Sequence, residues 1–342
     1  MKKIIGVLTV LVVVAGLAFA GGSGDKSSSG GAAPAAKPVT LRLAHFGSET
    51  HPMHTAAKQF AANVEKRTNG AIKIEIFPNN VLGGPPQILE QMFLGSIDMS
   101  LSGQDQIAKH VPLFDCVAIP FSISGYDHMD RVLDGPFLAW ATPEIAKKGA
   151  VMLSSWEWGF RQVTNSRHPI LTPADVQGLK IRTPPAMAYQ AAMEALGANV
   201  QTIDFSELVM AMRQGVVDGQ ENPIATIYDL KLYESQKYIT MVNYLYSSCV
   251  HLVNQKVWDK LSAEQQKIIR EESDAARLVA RKGVRDAEAA QIADMKSKGI
   301  QVDTPDLKPF ADKMGPAYAK IRQNIGAENF DKWMEMAKAT AK

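Results

Sequence analysis

Between Val39 and Leu101 the hydrophobic period switches four times, and that switching restricts the chain to a narrow class of folds. Val39, Leu41 and Leu43 alternate with polar residues, the pattern of a half-buried strand ending near His45. His51 to Arg67 reads as a helix closed by Asn69-Gly70. Ile72, Ile74 and Ile76 alternate again, Pro85-Pro86 opens a second helix ending near Gly95, and Ile97–Leu101 supplies a third strand. Strand–helix–strand–helix–strand implies a parallel sheet with right-handed crossovers. Such sheets bind ligands beyond the carboxyl ends of their strands, here near His45–His51, Phe77–Gly84 and Ser102–Gln104.

The alternation restarts further on. Val151–Ser155 and Leu179–Thr183 read as strands, Pro185–Leu196 as a helix, and Asp204–Gln214 as another helix closed by Gly215. A second α/β unit is therefore expected over roughly Gly159–Ser247. Ser262–Gly299 is charged and alanine-rich, with Ser262 and Glu264–Gln265 suited to an N-terminal cap. As one helix it would span about 36 residues and about 54 Å, even with Gly283 inside it. That length exceeds one small domain and fits a brace between two.

The amino terminus reads differently. Lys2 and Lys3 precede Ile4–Ala20, a run of 17 residues with Thr9 as its only polar member, and Ala18-Phe19-Ala20 is a small-residue cleavage pattern. These are the parts of a secretory signal peptide over residues 1–20. The stretch 21–36 holds only Gly, Ser, Ala and single Asp, Lys and Pro residues, the composition of a flexible tether. A retained anchor is the alternative to cleavage, because the apolar run falls just short of a bilayer span. Over the full chain 37 basic residues stand against 35 acidic ones. Removing 1–20 takes away Lys2 and Lys3 and leaves a formal charge of zero. A neutral protein lacks the basic surplus of a nucleic-acid binder. The 306 residues from Lys37 onward suit two domains. Cys116 and Cys249, 133 positions apart, make no disulfide framework, and Cys116 in its apolar stretch reads as a buried free thiol.

Familiar catalytic patterns are missing. The chain has no Gly-rich phosphate loop, no G-x-G-x-x-G after a strand, no HExxH and no G-x-S-x-G. His51 and His54 lie three apart without a nearby carboxylate or cysteine, which favours a helix-start role over a metal. Asp218, Glu221 and Glu157 have no nucleophile or base to pair with. No catalytic residue, metal or cofactor is expected.

What remains suits an anion. Arg182 ends the strand before Pro184-Pro185, where a guanidinium can grip a carboxylate bidentately or lie exposed to solvent. Arg161 is a second cation, or half of an interdomain ion pair. Asn222 stands in a turn-rich stretch, where its amide can donate to the same carboxylate or cap a helix. Trp156 and Trp158 share one strand face and Glu157 takes the other. The two indoles are either core or the wall of a pocket. Phe205 opens a helix, where an exposed aromatic needs something to pack on.

Three ordered segments carry a family resemblance: Gly159–Pro169 (GFRQVTNSRHP), Gly178–Pro184 (GLKIRTP) and Phe205–Pro223 (FSELVMAMRQGVVDGQENP). They resemble the DctP-type substrate-binding proteins of TRAP transporters, and the similarity runs from Val39 to the carboxyl terminus. The resemblance implies an α/β, two-lobed periplasmic-binding-protein fold of type II character, with crossing hinge strands and a long bracing helix. The lobes are then expected at 37–158 plus 248–287 and at 159–247 plus 288–342. It also implies an organic acid ligand and a membrane permease pair that accepts the loaded protein. By the same resemblance the KIR arginine (Arg182) bridges the ligand carboxylate, the GFR arginine (Arg161) adds a second contact, and the DGQENP asparagine (Asn222) bonds the same group. The FSEL aromatic (Phe205) packs on the ligand. Where many relatives carry a histidine, this chain reads Met241-Val242-Asn243-Tyr244.

The combined expectation is a periplasmic, monomeric binding protein without catalysis. Its ligand leans to a sugar acid such as a uronate, because Glu157, Glu49, Gln104 and Gln162 offer groups for hydroxyls near the two tryptophans. An aromatic or branched 2-oxo acid fits the same residues. A sensor module and a secreted enzyme are the rival classes.

Overall fold

The computed structural model describes residues 38–341, so the readings for 1–20 and 21–36 lie outside it. Strand β1 (Val39–His45) pairs in parallel with β2 (Ile72–Phe77) on one side and β3 (Met99–Gly103) on the other. Helices α1 (Pro52–Arg67) and α2 (Pro85–Leu94) are the crossovers. His51 starts α1, its Nδ1 accepting from the Met53 amide, with Pro52 in the first turn. This is the helix-start role. Strand β3 begins two residues later than the pattern suggests, because the Ile97 amide still closes the end of α2 through Gln91 O. It runs directly into α3 (Gln104–Ala108).

The segment with no legible pattern, Tyr126–Ala146, is helical. Helices α4 (Tyr126–Val132) and α5 (Leu138–Ala146) join through a π-turn at Gly135-Pro136. Strand β4 (Ala150–Phe160) is far longer than Val151–Ser155, and all its residues are buried. Its end crosses into the second sheet as β5 (Gln162–Asn165). There follow β6 (Lys180–Thr183), α6 (Met187–Ala195), β7 (Asn199–Thr202), α7 (Leu208–Arg213) and β8 (Gly219–Asn222). The helix expected over Asp204–Gln214 is split, with a 3-10 turn at Phe205–Glu207 before α7. Helix α8 (Ile224–Asp229) and β9 (Tyr238–Thr240) complete the unit, and β10 (Tyr246–Asn254) returns to the first sheet.

The strand orders are β2-β1-β3-β10-β4 in the first sheet and, with β11 (Gln301–Asp303), β11-β9-β5-β8-β6-β7 in the second. Two lobes result, linked by the β4–β5 and β9–β10 passages. At the crossing the β4–β10 register slips between Ser247 and Ser248, leaving Trp158 without a partner. Gly159 next to it has φ +123°, and a Cβ there would sit 3.1 Å from Pro223 Cβ. Only glycine fits both demands.

After α9 (Gln255–Trp258) comes α10 (Ala263–Ser297), 35 residues and therefore about 52 Å long. Ser262 and Gln265 cap it reciprocally: the Gln265 amide donates to Ser262 Oγ at 3.2 Å, and the Ser262 amide to Gln265 Oε1 at 2.9 Å. The helix packs along α1 and β4 in one lobe and against α8 in the other. Gly283 sits where a Cβ would meet Pro52 Cβ at 2.8 Å, so it lets α1 approach closely. Helix α11 (Lys308–Asp312) leads to α12 (Gly315–Ile325), which packs on α6, and to α13 (Ala327–Thr340), which packs on α4. Leu43, Phe60, Met99, Trp156 and Ile269 build the first lobe's core, and Leu208, Ile227, Ile239 and Met295 that of the second. Cys116 and Cys249 are both buried and free.

Candidate functional site

A cavity lies between the lobes, at the carboxyl ends of β1, β3, β6 and β8. The first lobe supplies Phe46, Gln104, Asp105 and Trp158 to its wall; the second supplies Arg182, Asp204, Phe205 and Asn222. Arg161 and Ser247 enter from the crossing segments. Of the three strand ends anticipated, Phe77–Gly84 contributes nothing, and only the adjacent Pro85 reaches the cavity.

Arg182 is fully buried, not a solvent-exposed strand arginine. Its Nε donates to Ile203 O at 2.8 Å, whereas Nη1 and Nη2 have no protein partner among the described residues. Burial pulls its pKa down to about 10, Glu221 opposing and Arg161 assisting. The group remains a cation at neutral pH. Two buried, unpaired N–H donors on a planar cation are costly alone and complementary to a carboxylate.

Arg161 is in the opposite state. Its Nη2 donates to Glu221 Oε1 at 2.9 Å and to the Glu221 carbonyl at 2.6 Å, its Nε also bonds that carboxylate, and Nη1 reaches Ser247 Oγ at 3.2 Å. Burial alone would depress its pKa, but Glu221 outweighs burial and holds it above its usual range. Arg161 is thus held in an ion pair, but with Glu221 of β8, which pairs with β5 next to it, rather than across the two lobes, and its side chain also lines the cavity. Asn222 ends β8 and caps no helix; its Nδ2 donates to Gln220 Oε1 at 2.6 Å, and Gln220 donates onward to Thr164. That chain fixes the amide beside the cavity.

The aromatic wall is Phe46, Trp158 and Phe205. Trp158 lies 4.6 Å from Phe46 and stacks on His51 at 4.2 Å, and Phe205 meets Phe46 edge-on at 5.4 Å. Gln104 faces the cavity, but its Nε2 donates to Tyr189 Oη at 2.7 Å and its Oε1 accepts from the Ser248 amide at 2.6 Å.

Four expected contributors lie elsewhere. Trp156 is core: its Nε1 donates to Ser154 Oγ at 2.9 Å and its ring meets His251 edge-on. The bulge at Trp158 separates the two indoles that strict alternation would place together. Glu157, on the opposite face, is bound by Arg285 at 2.5 Å and by the Tyr246 hydroxyl at 3.3 Å. Burial lifts its pKa to about 7 against the pull of Arg285. Glu49 is exposed on the loop after β1 and away from the cavity wall. Gln162 Oε1 accepts from the Asn243 backbone N–H at 3.0 Å, and its Nε2 donates to Asn243 Oδ1 at 2.5 Å and to Phe160 O at 3.2 Å, so the side chain at the departure, Asn243, helps brace the lobe crossing.

Asp105, Asp204, Phe46 and Tyr189 line the cavity without having been singled out. Only the strand-end rule signals Asp105, one residue beyond the Ser102–Gln104 edge. Asp218 is bound by Arg167 and the Lys180 amide, so it stands with Glu221 and Glu157 among carboxylates engaged by basic or backbone groups. Among the described residues no group of three or more His, Cys, Asp or Glu side chains is placed to hold a metal ion. No described helix is long and apolar enough to cross a membrane.

Residues 43–324 match the family model for bacterial extracellular solute-binding protein, family 7 (DctP). The chain belongs to that family. Among family 7 relatives, the 2,3-diketo-L-gulonate-binding periplasmic protein YiaO of Escherichia coli is 34% identical over 81% of this chain and 84% of its own length. The sugar acid binding protein DctPAm of Advenella mimigardefordensis, solved with galactonate, superposes with a TM-score of 0.85 at 30% identity, covering 89% of this chain and 99% of that one. A TRAP periplasmic solute-binding protein of Sulfitobacter, solved with β-D-galacturonate, gives 0.84 at 28% identity over 88% and 100% of the two chains. The two lobes and interlobe cavity are thus those of a family 7 solute-binding protein.

Proposed function

We propose that this solute-binding protein captures a sugar acid, a uronate or aldonate, and delivers it to a TRAP-type permease. The buried, unpaired Nη1 and Nη2 of Arg182 at the cavity carry the reading. They provide a bidentate seat for one carboxylate, with the Asn222 amide fixed close by. Trp158, Phe46 and Phe205 offer apolar surface to a ring or carbon chain. Relatives solved with galactonate and galacturonate support the choice of ligand class. Closure excludes water and strengthens the ion pair in the lower dielectric, and the closed shape is what a permease would accept. Export through residues 1–20, a periplasmic location, a monomeric state and the absence of catalysis belong to the same proposal. So does the lobe division at 159, 248 and 288, to which α12 and α13 add packing on both lobes.

The aromatic wall favours an aromatic or branched 2-oxo acid as the second reading. Calorimetry on the mature protein with D-galacturonate, D-galactonate and phenylpyruvate tests both. Tight 1:1 binding of the sugar acids supports the first, binding of phenylpyruvate alone supports the second, and no binding of any acid overturns the carboxylate seat. Conversion of a bound acid, followed by NMR, would establish an enzyme instead.

A further inference from the structure

The charges around the cavity are unequal in their availability. Its wall carries two cations, Arg161 and Arg182, and two carboxylates, Asp105 and Asp204. Arg161 is held by Glu221, so Arg182 is the one wall cation with unpaired donors among the described residues. Asp204 is engaged by the Ser206 amide and hydroxyl as the cap of its turn. Asp105 is different: it comes from the lobe opposite Arg182, at the end of β3, and its side-chain hydrogen bond from a neighbour is that of Gln106 Nε2 to Oδ2.

We propose that Asp105 selects a polyhydroxylated monocarboxylate over a dicarboxylate, accepting ligand hydroxyls and repelling a second carboxylate. This rests on the carboxylate seat at Arg182 and deepens it. A monocarboxylate satisfies Arg182 and presents hydroxyl donors elsewhere, and the Asp105 oxygens at the cavity wall can accept them. Burial raises the pKa of Asp105, while Arg161 opposes that shift and favours the ionised, acceptor-only form. A second ligand carboxylate finds no unpaired cation on the described wall and meets Asp105 across a poorly solvated space. Discrimination of this kind comes from a repulsive element as much as from an attractive one.

Galactonate and galactarate make the matched probes, sharing the carbon chain and its internal hydroxyls and differing only at the far end, where a hydroxymethyl group becomes a second carboxylate. Calorimetry on the wild type should show galactonate bound at least about 100-fold more tightly, since like-charge contact in an interface is strongly penalised. Asp105→Asn and Asp105→Ser should each cut that ratio about tenfold or more, weakening galactonate and strengthening galactarate. An apo melting midpoint close to wild type shows that a variant is folded. A wild-type ratio near one overturns the proposal without any variant. Unchanged ratios in both variants, with galactonate still bound and Arg182→Ala abolishing it, overturn the selectivity role alone. If the wild type binds neither probe nor any other monocarboxylate, the Arg182 seat fails and this inference falls with it.

Discussion

Arg161 and Glu221 form a closed pair, the guanidinium donating to the carboxylate and, at 2.6 Å, to the same residue's backbone carbonyl. Arg182, in the same cavity wall, has two donors without partners. The two arginines should therefore respond oppositely to deletion. Arg161→Ala strands a buried Glu221 and should cost about 3–5 kcal/mol of folding stability. Arg182→Met removes a buried cation whose Nη1 and Nη2 are unpaired and gives up only its Nε bond to Ile203 O, so it should change apo stability by no more than about 1 kcal/mol while binding weakens at least about 100-fold. Urea melts and calorimetry on both variants decide; a large stability loss in Arg182→Met with intact binding would reverse the assignment.

Trp158 lines the cavity, whereas Trp156 is sealed in the core. Ligand binding should change tryptophan emission through Trp158, whose ring stacks on His51. Trp158→Phe should remove most of the ligand-induced signal, and Trp156→Phe should preserve it. A signal that survives Trp158→Phe would place the ligand elsewhere.

These side chains also show what was readable before the fold. β1 and β2 were legible because part of each strand alternates between solvent and core, whereas β3 is buried throughout and was placed by the helix end before it. β4 was legible only to Ser155, since burial of both its faces erases alternation, and its bulge then defeats any period-two placement of Trp156 and Trp158. Helices at 126–146 were hidden by Gly135-Pro136, which interrupt the 3.6-residue pattern. Arg182 was legible because its strand ends at a proline pair and its motif is shared with a family. Asp105 was not, because its position matters only once the lobes face each other. The commitment of Arg161 to Glu221 was likewise invisible, since 60 residues separate the partners.

The loop after β1 reaches across to the second lobe. Ser48 Oγ donates to Asp229 Oδ2 at 2.5 Å, and Thr50 Oγ1 bonds the other oxygen of that carboxylate. These contacts join the lobes outside the cavity wall, so they should hold the closed state without recruiting ligand. Asp229→Ala should raise the dissociation rate about tenfold and change the association rate by less than about twofold. Stopped-flow fluorescence with D-galacturonate measures both. A slower association with unchanged dissociation would show that the contact acts before closure.

His251 gives the fold an acid sensitivity of its own. It is fully buried between Phe60 and Trp156, its Nδ1 lies 2.8 Å from Ser273 Oγ, and burial depresses its pKa to about 3. An unfolded chain protonates the same imidazole near pH 6.5. Above that pH both states are neutral and the group is silent. As pH falls below 6.5 the unfolded state binds a proton that the folded state refuses, so stability is lost progressively down to about pH 3. From pH 7 to pH 5 this single site should remove about 2 kcal/mol. In His251→Asn that loss is absent, so the stability gap between wild type and variant should narrow by about that amount over the same interval. Urea denaturation of both proteins at pH 7 and pH 5 measures the gap. If it stays constant, His251 is protonated in the folded protein as readily as in the unfolded chain, and its burial is not the source of acid sensitivity.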